Sequence, residues 1–387
     1  MFVSGNQTLV KHLNQQHILN LVRMAPGITA RAISQQTDLK IATVLYTLKN
    51  LAREGKIIRT GTAPSGMSGG KPAALWDINR HFGFVLGVEW LSTELRLVLL
   101  DFNAQLLARE RYSFSSRLSD EKKVAAFRKQ IQKFLDAHSQ NSIPLLGLGL
   151  GLSGIVDHQT GRILVSPLFE KRDVHLKEKL RTMLSVPVEI DNESNAGALG
   201  VKWLMPEFFT TPHLLYFSVQ QFFSGAGAGF IFNHEIYRGS RNAVGEMPPL
   251  FTAGFFRQLH RLLKKKYPDG ALLLLLKQPA SQQQIFFKAL QLVRQNAPCA
   301  TAFWKEIGRQ IAKRLVLLTD LLNPQAIVLG GDIFQVQAFV GPIIQRYLQL
   351  KPLSTPFSPF VFRFSPFGAY SNAMGAAALI LQKIYTQ

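Results

Sequence analysis

Apolar residues recur at helical spacing through the first 55 positions. In "HILNLVRMA" (17–25), Ile18, Leu21, Val22 and Ala25 fall on one face, the i, i+3, i+4, i+7 pattern of an amphipathic helix. Pro26-Gly27 ends it. Thr29 is placed to cap a short helix over 30–36, since its hydroxyl can accept a bond from an early helical N–H. Residues 37–39 make a tight turn. A longer helix is predicted over 40–55, with Val44, Leu48 and Leu51 inward and Gly55 as its stop. The tight turn between the last two helices gives the helix-turn-helix pattern. Strand candidates "KIIRTG" (56–61) and "AALWDI" (73–78) then flank "TAPSGMSGGKP", a basic, Gly-rich loop. Two strands around such a loop make the wing of a winged helix.

From residue 82 the period changes. "FGFVLGVEW" and "ELRLVLLDF" are apolar strand runs, and "AQLLARERYSF" alternates. An amphipathic helix covers 120–138. "PLLGLGLGLSGIVD" (144–157) is a buried strand breaking into a Gly-rich loop. A further helix (175–184) and the strand "VPVEI" follow. Strands alternating with helices predict an α/β lobe with a largely parallel sheet. A second lobe begins near 197 with a hairpin-like stretch, a helix-rich centre and the strand "QAIVLGGD" (325–332). The last helix, "SNAMGAAALILQKIY", carries small residues early, suited to close packing.

Composition narrows the class. Of 387 residues, 47% are hydrophobic and 18% charged, which is globular and not disordered. The net charge of +20 favours a polyanionic partner, although a generally basic proteome gives the same sign. Residues 1–80 hold ten Lys and Arg against three Asp and Glu. A single cysteine, Cys299, rules out an intrachain disulfide. The N-terminus has no apolar core of signal-peptide length, and the longest apolar run, "ALLLLL" (271–276), is too short to span a bilayer. A cytoplasmic setting without membrane contact is expected.

"SGGKPAALWDIN", "GLGLSGIVD" (149–157), "DNESNAGALG" (191–200), "SGAGAGFIFNHEIYRG" (224–239), "AVGEMPP" (243–249), "IVLGGD" (327–332) and "NAMGAAAL" (372–379) occur in one order along the chain. Together they resemble the ROK family of repressors, open reading frames and kinases, and within it the xylose and N-acetylglucosamine type of sugar repressor. The resemblance implies an N-terminal winged helix-turn-helix followed by an actin-like, ribonuclease H-like α/β domain of two lobes, with a sugar in the cleft. The domains expected are 1–80 for DNA binding, 81–196 for the first lobe, joined by the C-terminal helix 371–387, and 197–370 for the second.

The departures carry information. Family kinases hold phosphate on an Asp-x-Gly loop; here "GVEWLST" puts Glu89 for the Asp and Leu91 for the Gly. Leucine fills the space that glycine leaves for a phosphate. The second phosphate loop keeps Gly225, Gly227 and Gly229, which serve a nucleotide or a tightly packed hairpin equally well. The family's zinc site is lost: Pro249 stands for its His, and the cysteine cluster is absent. No metal and no cofactor are expected, and residues 257–293 are predicted to form a helical substitute. Glu193, after Asn192, occupies the family's catalytic position, and Glu246 its sugar-binding position. The same residues at 192–193 also suit a plain helix cap.

The sequence reading is therefore a sugar-responsive transcriptional regulator that has lost phosphoryl transfer, and so not an enzyme. Lys40, Thr43, Tyr46 and Thr47 are expected in the major groove and Arg59 and Lys71 on phosphate, with double-stranded operator DNA as partner. Asn192, Glu193 and Glu246 are expected to hold a sugar or sugar-derivative effector. A homodimer or higher oligomer would read paired half-sites. The rivals are an active sugar kinase carrying a DNA-binding domain, and a regulator with a non-sugar effector.

Overall fold

The computed structural model describes residues 7–63, 72–115, 117–139, 142–220, 225–277, 282–349 and 361–386. The first helix, α1 (Gln7–Met24), begins well before His17. Its early turns carry no apolar stripe, and Val10 and Leu13 stay exposed, so hydrophobic spacing could not mark the start. After β1 (Ile28–Thr29) comes α2 (Ala30–Thr37), whose first turn is capped by the Thr29 hydroxyl accepting from the Ala32 N–H at 3.2 Å. Asp38, at φ +54°, turns the chain into α3 (Ile41–Arg53). β2 (Ile57–Thr62) and β3 (Ala74–Ile78) pair antiparallel, and β1 joins the far edge of β3. The tip of the predicted wing, residues 64–71, lies outside the described residues.

The first lobe runs β4 (Phe84–Leu91), β5 (Glu94–Asp101), β6 (Leu106–Ser113), α4 (Asp120–His138), β7 (Leu145–Leu152), β8 (Ile155–Asp157), β9 (Arg162–Val165), β10 (Val174–His175), α5 (Leu176–Leu184), β11 (Val188–Asn192) and α6 (Glu193–Leu204). Its main sheet has the order β11-β7-β4-β5-β6. The largely parallel sheet expected from the sequence is instead mixed: β11, β7 and β4 are parallel, while β4, β5 and β6 are antiparallel. Only residues 92–93 separate β4 from β5, and a connection that short can join only antiparallel neighbours.

The second lobe holds β12 (Leu214–Gln220), β13 (Gly225–Phe232), β14 (Glu235–Ile236), α7 (Ala253–Lys266), α8 (Leu273–Lys277), α9 (Gln282–Arg294), α10 (Pro298–Leu322), β15 (Ala326–Gly331), α11 (Gln337–Gln349) and β16 (Val361–Phe364). The sheet order is β14-β13-β12-β15-β16. The centre expected to replace a zinc loop is helical, as α7 to α9, in its described part.

The chain closes with α12 (Ser371–Thr386), which returns to the first lobe and lies on β4 and β7. Its small residues bring backbones together: a Cβ on Gly149 would stand 1.7 Å from the Ala376 carbonyl oxygen. α6 packs against α12 on one side and β12 and β13 on the other, so these two helices form the seam between the sheets. The division expected at residue 197 falls inside α6, which runs unbroken from Glu193 to Leu204. The apolar core of the head (Ile18, Val22, Val44, Leu48) continues without a gap into Leu199, Trp203 and Tyr385 of this seam. Among the described residues no helix is long and apolar enough to cross a membrane.

Candidate functional site

Two places collect the side chains expected to carry function. The first is the mouth of the seam. Strand β11 ends at Asn192, whose Oδ1 caps α6 by accepting from the N–H groups of Ser194 (2.8 Å) and Asn195 (3.3 Å). Its Nδ2 is left to face the cleft. It donates to the Gly154 carbonyl (3.1 Å), to Glu193 Oε2 (3.2 Å) and, across the lobes, to Glu246 Oε1 (3.1 Å). The cap and the cleft contact, alternatives in the sequence, are thus both made by one side chain. Glu193 also accepts from the Ser153 hydroxyl at 3.1 Å. Beneath them Asp191 takes Nε and Nη2 of Arg238 at 3.0 and 2.6 Å.

Burial pushes the Glu193 carboxyl up to about 7, with the Glu246 charge adding, against the lowering by its own N–H and Ser153. Glu246 is surface-accessible, but its carboxyl is turned onto Asn192 and is raised by partial loss of water. A group whose folded value lies above its ordinary 4.5 binds its proton more tightly in the folded chain. Its stabilisation is full below about 4.5 and is lost as the pH rises through about 7. Glu193→Gln, which cannot titrate, is expected to leave stability near the parent's at pH 4.5 and to exceed it by about 1–2 kcal/mol at pH 8. Denaturant melts at the two pH values check this; equal gains at both would contradict the shift.

The polar arrangement is rich in acceptors, with Asn192 as a donor, and hydroxyl groups suit both. Pro249 is exposed and brings no ligand atom where a zinc-binding His would stand. Among the described residues no three His, Cys, Asp or Glu side chains are grouped to hold a metal ion. The residues present do not fit the zinc site that the resemblance would otherwise imply.

Glu89 and Leu91, expected from the resemblance to interrupt a first phosphate loop, are buried in β4. Arg96, from β5, fills the same region. It donates to Asp332 Oδ1 and Oδ2 (2.9 and 3.0 Å), Glu94 Oε1 (2.5 Å), Gln220 Oε1 (3.1 Å) and the Ala369 carbonyl (2.6 Å), with Glu89 Oε2 at 3.4 Å. Glu89 Oε1 also accepts from Asn372 Nδ2 (2.8 Å) and Gln220 Nε2 (2.5 Å). The cluster joins β4 and β5 of the first lobe to β12, to Asp332 just after β15, and to α12. One guanidinium serves three carboxylates, with Arg111 helping Glu94 alone. Burial therefore raises Glu89 despite Arg96. Of the glycines beyond β12, Gly229 has a packing reason: its Cβ would stand 2.2 Å from the Ser194 carbonyl oxygen of α6. Gly225 has nothing within 4 Å among the described residues.

The sequence reading missed Arg96, Gln220, Asp332, Ser153 and Arg238. Ser153, Arg238 and Asp332 lie inside the motifs quoted above, and Arg96 carried a signal of its own: an arginine inside an apolar strand must find partners when buried.

The second place is the head. Lys40, Thr43 and Tyr46 are exposed along the start of α3, and Arg59 is exposed on β2. Lys71 lies outside the described residues. Thr47, expected in the groove, is instead buried, with its hydroxyl donating to the Thr43 carbonyl at 2.9 Å. Val44, Thr47, Leu48 and Leu51 are spaced i, i+3, i+4, i+7, so position 47 belongs to the inward stripe. Lys11 of α1, not foreseen, comes within 3.4 Å of the Tyr46 hydroxyl and adds a cation to this face.

The ROK family model matches residues 85–248 and 264–383, and a model of winged helix-turn-helix DNA-binding domains matches 12–58. A putative xylose repressor of Caldicellulosiruptor sp. (strain Rt8B.4) is 27% identical over 354 residues, covering 85% of this chain and 87% of that protein. The xylose repressor of Bacillus subtilis (strain 168) is 24% identical over 380 residues, 97% of each. Among solved structures, a ROK family transcriptional regulator, a homolog of the E. coli MLC protein, superposes with TM-score 0.75 at 18% identity over 97% of both chains. A ROK family glucokinase from Streptomyces griseus, in complex with glucose and AMPPNP, superposes at 0.60 with 20% identity, over 77% of this chain and 99% of that one. At such identities these two show a shared fold.

Proposed function

The chain belongs to the ROK family, and on that premise we propose that it is a sugar-responsive transcriptional repressor. It binds operator DNA through the N-terminal winged helix and a sugar or sugar derivative at Asn192, Glu193 and Glu246. The observation that carries this reading is the Asn192–Glu246 bond across the lobes, at 3.1 Å, in a body that also bears a winged-helix head. A sugar whose hydroxyls take these partners changes the closure of the cleft, provided it prefers one closure state. Phosphoryl transfer is absent in this proposal. The triphosphate must be held and its charge offset, and Arg96 is already paired with Glu89 and Asp332 in the buried cluster.

The deciding experiment pairs a thermal-shift screen with an ATP-consumption assay, both with D-xylose, N-acetylglucosamine and related sugars. A ligand that binds the native chain alone raises its melting temperature. The proposal expects a shift with at least one sugar, lost in Glu246→Ala, and no sugar-dependent ATP turnover. Turnover abolished by Glu193→Gln would establish the kinase instead. The absence of any shift would move the effector outside the sugars.

In the head, Lys40, Thr43 and Tyr46 face the major groove and Arg59 a phosphate, with Lys71 proposed for the wing. Each phosphate contact removed flattens the slope of log affinity against log salt by about one unit. Arg59→Ala is expected to do so, while Thr47→Ser, at a buried position, leaves affinity within about twofold. An unchanged slope in Arg59→Ala by fluorescence anisotropy would remove that residue from the interface. A homodimer reading two half-sites belongs to the same proposal, and light scattering with bound operator checks it.

A further inference from the structure

Resting on that reading of cleft and head, we propose that α6 carries the state of the cleft to the DNA-binding head, and that Arg23 is the positioning residue at which the head receives it. The two ends of this one helix lie in the two places described above. At its start, Asn192 both caps the first turn and holds Gly154 and Glu246. Anything that takes Glu246 or Gly154 away from the Asn192 amide acts directly on the first turn of α6. At its end, the Trp203 carbonyl accepts from Arg23 Nη1, of α1, at 2.9 Å. The same guanidinium lies over the rings of Trp203, Phe209 and Tyr385, at 4.6, 4.8 and 5.5 Å. Its Nε donates to Asn20 Oδ1 at 3.1 Å.

Between the ends the helix has no slack. Every residue from Ser194 to Trp203 is buried. α6 meets α12 backbone to backbone: a Cβ on Gly375 would stand 1.9 Å from the Ala196 carbonyl oxygen, and one on Gly200 2.7 Å from Gly375 Cα. Contacts made by backbones cannot be absorbed by side-chain rotation, so a displacement at Asn192 travels the helix, about 18 Å long, as a rigid shift. The far end is less confined. A cavity of about 390 Å³ beside it, lined in part by Asn20, Arg23, Trp203, Phe209 and His234, leaves the head contact room to slide. Arg23 holds by cation–π geometry and a single carbonyl, and both depend steeply on where Trp203 stands.

A double-mutant cycle read by amide hydrogen exchange on the full chain, with neither sugar nor DNA present, tests this. Asn192→Asp keeps the capping oxygen but removes the donor to Gly154 and Glu246. Alone, it is expected to raise exchange at residues 18–24 of α1 about tenfold. Arg23→Met loosens the same amides, and adding Asn192→Asp to it is expected to change them no further. That non-additivity would not arise from two unrelated structural defects. Additive effects in the double variant, or an Asn192→Asp effect confined to α6 and residues 153–154, overturn the proposal. Should Asn192→Asp not fold, Glu246→Ala, at an accessible position that caps nothing, takes its place with the same two outcomes. Failure here leaves the sugar melting shift untouched, so it is distinguishable from failure of the functional reading.

Discussion

Arg96→Met is expected to cost the chain about 3–5 kcal/mol of stability, the range for breaking a buried ion cluster from one side. Arg96 is 1% exposed, and its guanidinium is the shared cation of Glu89, Glu94 and Asp332. Methionine matches the volume but strands Glu89 in a site of 0% exposure, deprives Asp332 of a bidentate partner and leaves Glu94 to Arg111. The loss should depend on pH. A buried carboxyl without its cation has a folded value above its unfolded one, so its contribution is full below the unfolded value and is lost as the pH rises. The variant should therefore be nearest to the parent at acidic pH and furthest from it above pH 8. A loss below about 1 kcal/mol, the same at every pH, would mean that the cluster does not hold the lobes together.

Gly149→Ala should have the next largest effect. The added methyl would meet the Ala376 carbonyl oxygen at 1.7 Å and its carbon at 2.5 Å, both backbone atoms of α12. Rotamer change cannot relieve a clash with backbone, so α12 must move off β7. Overpacking of this kind costs about 1–3 kcal/mol, and the backbone partner puts it at the upper end. The displacement should reach further than the core. α12 carries Asn372, which bonds Glu89 and Tyr216, and its neighbouring face holds α6. A lowered denaturant midpoint with weakened effector binding is the expected result. Gly225→Ala, where nothing among the described residues lies within 4 Å, is the control and should shift stability by less than about 0.5 kcal/mol. Equal effects at the two positions would remove the close α12–β7 contact as the cause.

The sequence alone settled what is local. Apolar spacing fixed α3 and α4, a hydroxyl before a helical run placed the cap at Thr29, and small residues announced that α12 would pack closely. Periodicity even held the answer for Thr47, which sits on the same stripe as Val44 and Leu51 and so faces inward rather than into the groove. Periodicity says which face is buried but not what covers it, and that is where the sequence stopped. Arg96 and Asp332 are 236 positions apart, and nothing near either residue names the other. The mixed sheet followed from a two-residue connection whose consequence appears only when strands are paired. Asn192 could be read as a cap or as a cleft ligand because each role uses a different atom of one amide. Only the approach of Glu246 from the second lobe gave the nitrogen a partner across the cleft, beside Gly154 and Glu193, while the oxygen stayed on the helix. Local rules act through neighbouring backbone, whereas the cleft is assembled from strand ends and loops that the chain brings together late, by packing α6 and α12 between two sheets.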